Sequence, residues 1–224
     1  MREGHISKAF DGELASLHIH VLELGGLVLA QVHEGTHAYT DWNSHLAQQA
    51  TAREAAVSQR SESVFEEQLN LIARRNPVAS DLRSILALAR VASELARAGA
   101  EGRKIARTVL MQGGRPARST SSDVHHLAHL AGDLLRRSLD ALDTLDPVVA
   151  EDVIDHDQDL DREYAAGLRR LLSRVMENPA QSETTVEAAF TLKSLERIGD
   201  HACNIARLVV AMAERRAPAS APEA

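Results

Sequence analysis

Two segments of this chain repeat one another one hundred positions apart. Leu95-Ala96-Arg97-Ala98-Gly99-Ala100 anticipates Leu195-Glu196-Arg197-Ile198-Gly199-Asp200, and Ile105-Ala106 anticipates Ile205-Ala206. A fold that builds one unit twice satisfies this constraint directly. Within the second copy, Leu195, Ile198, Ala202, Ile205, Val209 and Met212 recur at alternating steps of three and four. That period is the apolar seam of a packed helix. The unit is therefore helical.

The same periodicity predicts six long helices. The first runs from about Phe10 to His33 on a seam of Leu14, Leu17, Val21, Leu24 and Val28, with Gly35 and then Asp41 to Asn43 as its exit. The second covers Ser44 to Arg74. Asn76-Pro77 reads as a cap with proline in the first turn of a third helix, which stops before Gly113-Gly114. Gln112 to Ser122, rich in Gly, Pro and Ser, reads as the main linker. A fourth helix covers about Asp123 to Leu142, Asp146-Pro147 opens a fifth, and the sixth spans about Ser182 to Arg216. The expected architecture is all-α: two antiparallel three-helix units over residues 1–114 and 115–216, with a disordered Pro/Ala tail at 217–224.

Composition agrees. Only 3% of residues are aromatic, which suits helices packed through aliphatic seams. A formal net charge of -7 argues against nucleic acid as a partner, because phosphate backbones demand cations. Cys203 is the single cysteine, so no intrachain disulfide forms, as suits a reducing compartment. The start lacks a basic-then-apolar leader. The most apolar stretch, Leu14 to Val32, is interrupted by His18, His20 and Glu23 and is expected to fall short of a membrane span. A cytoplasmic location is the expectation.

Chemistry concentrates in the second unit. Glu196, Asp200 and Asn204 form a column at i, i+4, i+8, almost opposite the seam. Asp157 and Asp161 lie one turn apart on the fifth helix, whose seam runs Val153, Leu160, Tyr164 and Leu171. Asp157 thus stands where an apolar residue is expected, and a partly buried aspartate needs a partner. Arg170 is one candidate. The alternative is a cation shared with Glu196 and Asp200, in an oxygen-rich site suited to Mg, Mn, Fe or Ca.

Val153 to Asp161 followed by Tyr164, and then Leu195 to Ala206, resemble the second half of the PhoU family of phosphate-transport accessory proteins. Glu66-Glu67-Gln68 through Asn76-Pro77-Val78-Ala79-Ser80-Asp81-Leu82-Arg83 resembles its first half, and Phe10-Asp11-Gly12-Glu13-Leu14 its opening. The resemblance covers nearly the whole chain. It implies two tandem, pseudo-symmetric three-helix bundles carrying E/DxxxD motifs that bind metal clusters. It further implies a non-enzymatic, cytoplasmic negative regulator. Such a protein relays the state of a phosphate ABC transporter, contacted at its ATPase, to a sensor histidine kinase and restrains the phosphate-starvation response. Contact with the membrane would then run only through those partners, and a homodimer is left open. By the same resemblance Asp157, Asp161, Glu196 and Asp200 match the motif acids, His201 the usual Asp-His pair, and a divalent or iron cluster is their ligand. The first repeat departs: Ala55, Gln59, Ala96 and Ala100 occupy the equivalent positions, and Glu94 and Glu101 lie off them.

Other constellations weigh less. His33-Glu34-Gly35-Thr36-His37 matches the H-E-x-x-H of zinc metallopeptidases. It falls at an expected helix end, with glycine at its centre and no third ligand in evidence, so paired surface histidines are the preferred reading. Glu34 and His37 form a single E-x-x-H, where a di-iron site needs two. His125, His126 and His129 could bind a transition metal at i, i+4 but read as a solvated helix start. Cys203 reads as a packed thiol. No phosphate loop, nucleophile elbow or dinucleotide turn occurs.

Overall fold

The computed structural model describes the backbone of residues 3–77, 79–111 and 118–214, and the side chains of 9–77, 81–111, 121–180 and 182–214. Among the described residues there is no strand. Seven helices follow one another: α1 (Glu3–Asp41), α2 (Ser44–Ala52), α3 (Glu54–Arg75), α4 (Ala79–Met111), α5 (Arg118–Thr144), α6 (Pro147–Glu177) and α7 (Ser182–Glu214), with a single 3-10 turn at Pro179–Gln181. The expected second helix is thus interrupted into α2 and α3. The break lies at Arg53, just after Thr51 Oγ1 donates back to Ala47 O at 2.8 Å, a contact that perturbs helices. The Arg53 side chain is also drawn onto Glu34 of α1.

Helices α1 to α4 form one three-rod bundle, α5 to α7 the other, and the two join where α4 packs on α7 and α1 on α5. The seams expected from periodicity are the core. Leu17, Val21, Leu24 and Val28 of α1 are fully buried, as are Ile85 and Leu95 of α4 and Leu195, Ile198, Ala202, Ile205 and Val209 of α7. Each such Leu, Ile or Val side chain contributes about 1.5–3 kcal/mol. Over Ala9–Asp41, α1 is in fact long and apolar enough by composition to cross a membrane, unlike the shorter reading of the sequence. Its apolar face is instead covered by the bundle.

Both repeats turn their first corner identically. Trp42 (φ 55) and Leu145 (φ 51) are left-handed. Asn43 N–H reaches Ala38 O at 2.8 Å, and Asp146 N–H reaches Ala141 O at 3.1 Å. These are Schellman closures without glycine. Asn43 and Asp146 then cap α2 and α6 through their side chains.

Three boundaries differ from the sequence reading. Gly35 does not end α1. It lies at the crossing with α4, where a Cβ would run into Gly102 O, and a Cβ on Gly102 would stand 2.9 Å from Val32 Cα. Asn76, left-handed at φ 44, terminates α3 rather than capping α4. Helix α5 begins at Arg118, inside the expected linker. The expected boundary at 114 and the tail at 217–224 lie outside the described residues.

Candidate functional site

Helices α6 and α7 lie side by side because Gly199 has no side chain. A Cβ there would collide with Leu160 and stand 3.6 Å from Asp157 Oδ1. That close approach sets Asp157 and Asp161 of α6 against Glu196 and Asp200 of α7. The Glu196 side chain is only 12% exposed. Its Oε1 accepts from Lys193 Nζ at 2.6 Å, while its Oε2 is buried without a hydrogen bond, as is Asp157 Oδ1. Burial raises the pKa of Asp157, and the charges of Asp161 and Glu196 add to it against Cys203 and Arg207. Burial likewise raises Asp200, with Asp157 and Asp161 contributing. The buried Cys203 thiol beside them is pushed up to about 12 by burial and by Asp157, so it is a neutral packing group.

These acids repel one another; Glu196 Oε2 faces inward with nothing to accept, and Asp157 meets only the weak donor of the Cys203 thiol. That donor set fits a hard, oxygen-seeking cation. As placed, no three His, Cys, Asp or Glu side chains among the described residues gather about one point. Lys193 supplies the local positive charge and also sits 5.4 Å from the Tyr164 ring centroid.

Several expectations change here. Arg170 does not reach Asp157; it pairs with Asp123 at 2.8 Å. Asn204 leaves the acidic column and donates through Nδ2 to Glu94 Oε2 of α4 at 3.2 Å. His201 Nδ1 lies 2.8 Å from the same oxygen, with side chains 15% and 18% exposed. Glu101, also on α4, accepts from Lys104 at 2.6 Å and from Arg197 of α7 at 3.4 Å. The two acids off the motif are therefore the polar clamp between the repeats. Their seven-residue spacing, which puts both on one helix face, was the available signal. Although burial opposes it, these hydrogen bonds hold both Glu94 and Glu101 below the usual glutamate range.

In the first repeat, Ala55 and Gln59 are exposed on α3, and Ala96 and Ala100 are half-buried on α4. The nearby acid Glu54 already has partners: Gln31 Nε2 at 3.0 Å and Arg103 Nε at 3.6 Å. Protein cations serve this half.

The histidines fall together elsewhere. His33 and His37 of α1 and His125 and His129 of α5 line one cavity of about 580 Å³ between the repeats. The first two rings lie 4.2 Å apart between centroids. Burial, then the charge of His37, lowers the pKa of His33. His126 points instead toward Glu163, 3.8 Å away. Glu34 is held by the Arg53 guanidinium, with Nε at 2.9 Å, so the peptidase reading lacks a free base within its motif.

The PhoU domain model matches residues 21–109 and 124–209. The chain is 38% identical over 208 residues to the phosphate-specific transport system accessory protein PhoU homolog of Pseudomonas aeruginosa, covering 92% of this chain and 86% of that one. It is 30% identical over 205 residues to the accessory protein PhoU of Escherichia coli strain K12, covering 92% and 85%. The crystal structure of PhoU from Pseudomonas aeruginosa superimposes with a TM-score of 0.87 at 36% identity, over 92% of this chain and 99% of that one.

Proposed function

The chain belongs to the PhoU family, and from that premise we propose that it is a non-enzymatic accessory protein of phosphate-specific transport. It restrains phosphate uptake and the phosphate-starvation response. In this reading it acts in the cytoplasm between the ATPase of a phosphate ABC transporter and a sensor histidine kinase. The observation that carries the reading is continuous likeness through both repeats, at 38% identity, to a protein named for that system. The absence of a free base at the H-E-x-x-H motif favours an adaptor over a peptidase.

Asp157, Asp161, Glu196 and Asp200 would hold the metal. The unpaired Glu196 Oε2, and Asp157, which meets only the weak Cys203 thiol donor, support this assignment. A bound cation would supply charge neutralisation between α6 and α7. The chain's own residues fix the two helices at that spacing and keep water from the inner oxygens. The first repeat, with Ala55, Gln59, Ala96 and Ala100 in place of acids, would hold none through its motif.

The test is a deletion strain, lacking any paralogue as well, grown in high phosphate. Derepressed phosphate-starvation genes are the expected result, together with recovery of the transporter ATPase or the kinase in pull-downs. Full repression with neither partner bound would refute the adaptor. Were metal still retained by the wild-type protein and lost from Asp157→Ala/Asp200→Ala, a metal-binding bundle without signalling partners would stand in its place.

A further inference from the structure

We propose that the groove between α1 and α5 is a second metal site, of different chemistry from the acidic one. It takes a borderline-soft transition ion, Zn²⁺, on the imidazoles of His33, His37, His125 and His129. The proposal rests on four imidazoles that line one groove and does not depend on the signalling role.

On each helix the two histidines are four residues apart, the spacing at which neighbouring side chains share one face and can grip one ion. The pairs belong to different repeats, yet both line the same cavity of about 580 Å³. The groove is open beside Gly26 and Gly132, where an added Cβ would meet nothing within 4 Å. Helix α1 packs directly on α5, and helices in contact lie about 8–10 Å apart. His33, His125 and His129 are exposed, so their rings can turn between staggered rotamers at little cost. They must turn, since as placed no three donors gather about one point.

The other polar groups of the groove are already paired. Glu34 is held by Arg53, and Asp133 accepts from Arg136 at 2.7 Å. Neutral nitrogen donors without competing carboxylates select zinc-like ions over Mg²⁺ or Ca²⁺. Four imidazoles leave no open position, which makes the site structural rather than hydrolytic. The bound ion would tie α1 of the first repeat to α5 of the second.

The experiment uses the full chain without an affinity tag, stripped of metal and titrated with Co²⁺ and then Zn²⁺. The wild type should bind one Co²⁺ with the visible absorption of a tetrahedral nitrogen site, displaced by Zn²⁺. Both His33→Ala/His37→Ala and His125→Ala/His129→Ala should bind at least about 100-fold more weakly, beyond what loss of outer-shell partners costs. His126→Ala and Asp157→Ala/Asp200→Ala should keep the cobalt spectrum. Loss in only one histidine pair, or in neither, overturns the proposal, as does a spectrum that disappears with the acidic variant. X-ray absorption of the wild-type zinc complex supplies a readout independent of variant folding. Four-nitrogen imidazole scattering is expected, and an oxygen-dominated shell overturns the site.

Discussion

Asp157 shows what a single side chain can reveal and conceal. Its place on an apolar seam marked it as buried and in need of a partner, but the partner lay beyond the sequence. Arg170, thirteen positions along the same helix, is taken by Asp123 of α5, a contact between elements that no local pattern encodes. The structure leaves Asp157 facing other acids, and this has a pH consequence. Its folded pKa and that of Asp200 are raised. The folded state therefore binds more protons than the unfolded chain between the two pKa values, and stability falls as pH rises through that window. The penalty is complete above the raised values. Metal-free Asp157→Asn/Asp200→Asn should accordingly melt above wild type at pH 7. The difference should shrink as pH drops through the ordinary aspartate range near ~4 and should also shrink when the wild type binds a cation. Thermal melts over pH 3–8 test the sign, and a variant less stable at pH 7 would contradict the repulsion.

At the scale of elements, periodicity was enough to locate every rod, because seam residues such as Leu17, Val21, Leu195 and Ile198 are buried where their spacing put them. Breakers misled. Gly35 looked like a stop because glycine is a poor helix former. Its function at the α1–α4 crossing depends on Gly102, sixty-seven positions away. Asn76 looked like an N-cap because capping and left-handed termination favour the same residue type. The break at Arg53 had only a weak sequence mark, Thr51 bonding back to Ala47 O, and the Arg53 contact with Glu34 of another helix had none. The glycines can be told apart by mutation. Gly35→Ala places a methyl against backbone that cannot yield and should cost about 1–3 kcal/mol or more. Gly12→Ala meets nothing within 4 Å and should stabilise α1 by roughly 0.5–1 kcal/mol. Urea unfolding of the two variants gives the comparison. Equal effects would mean that α1 and α4 are not in close contact at Gly35.

On the scale of the whole molecule, the question is what makes two repeats one body. The apolar answer is α4 against α7 and α1 against α5. The polar answer is the clamp of Glu94 with His201 and Asn204, and of Glu101 with Lys104 and Arg197. The repeat itself was legible in the sequence from Leu95 and Leu195 onward. Of the clamp only the seven-residue spacing of Glu94 and Glu101 was legible; its partners were not, because it joins residues that differ between the copies. Where the second repeat keeps its acids for α6, the first turns Glu94 and Glu101 toward α7. Removing Glu94 strands the shielded His201, whereas Lys104 and Arg197, the partners of Glu101, are half-exposed and turn to water. An unpaired buried group costs about 1–3 kcal/mol. At roughly 2–4 °C per kcal/mol for a chain of this size, Glu94→Ala/Glu101→Ala should lower the melting midpoint by on the order of 5 °C. Because both glutamates sit below their usual pKa in the folded state, their contribution is present above the unfolded glutamate range. It is lost as pH falls through the folded values. The deficit of the variant should thus be full at pH 7 and fade in acid, the reverse of the Asp157 and Asp200 pair. Calorimetry should show the wild type unfolding in one transition. A wild type that already melts in two steps, with the variant altering neither, would mean that the clamp does not couple the repeats.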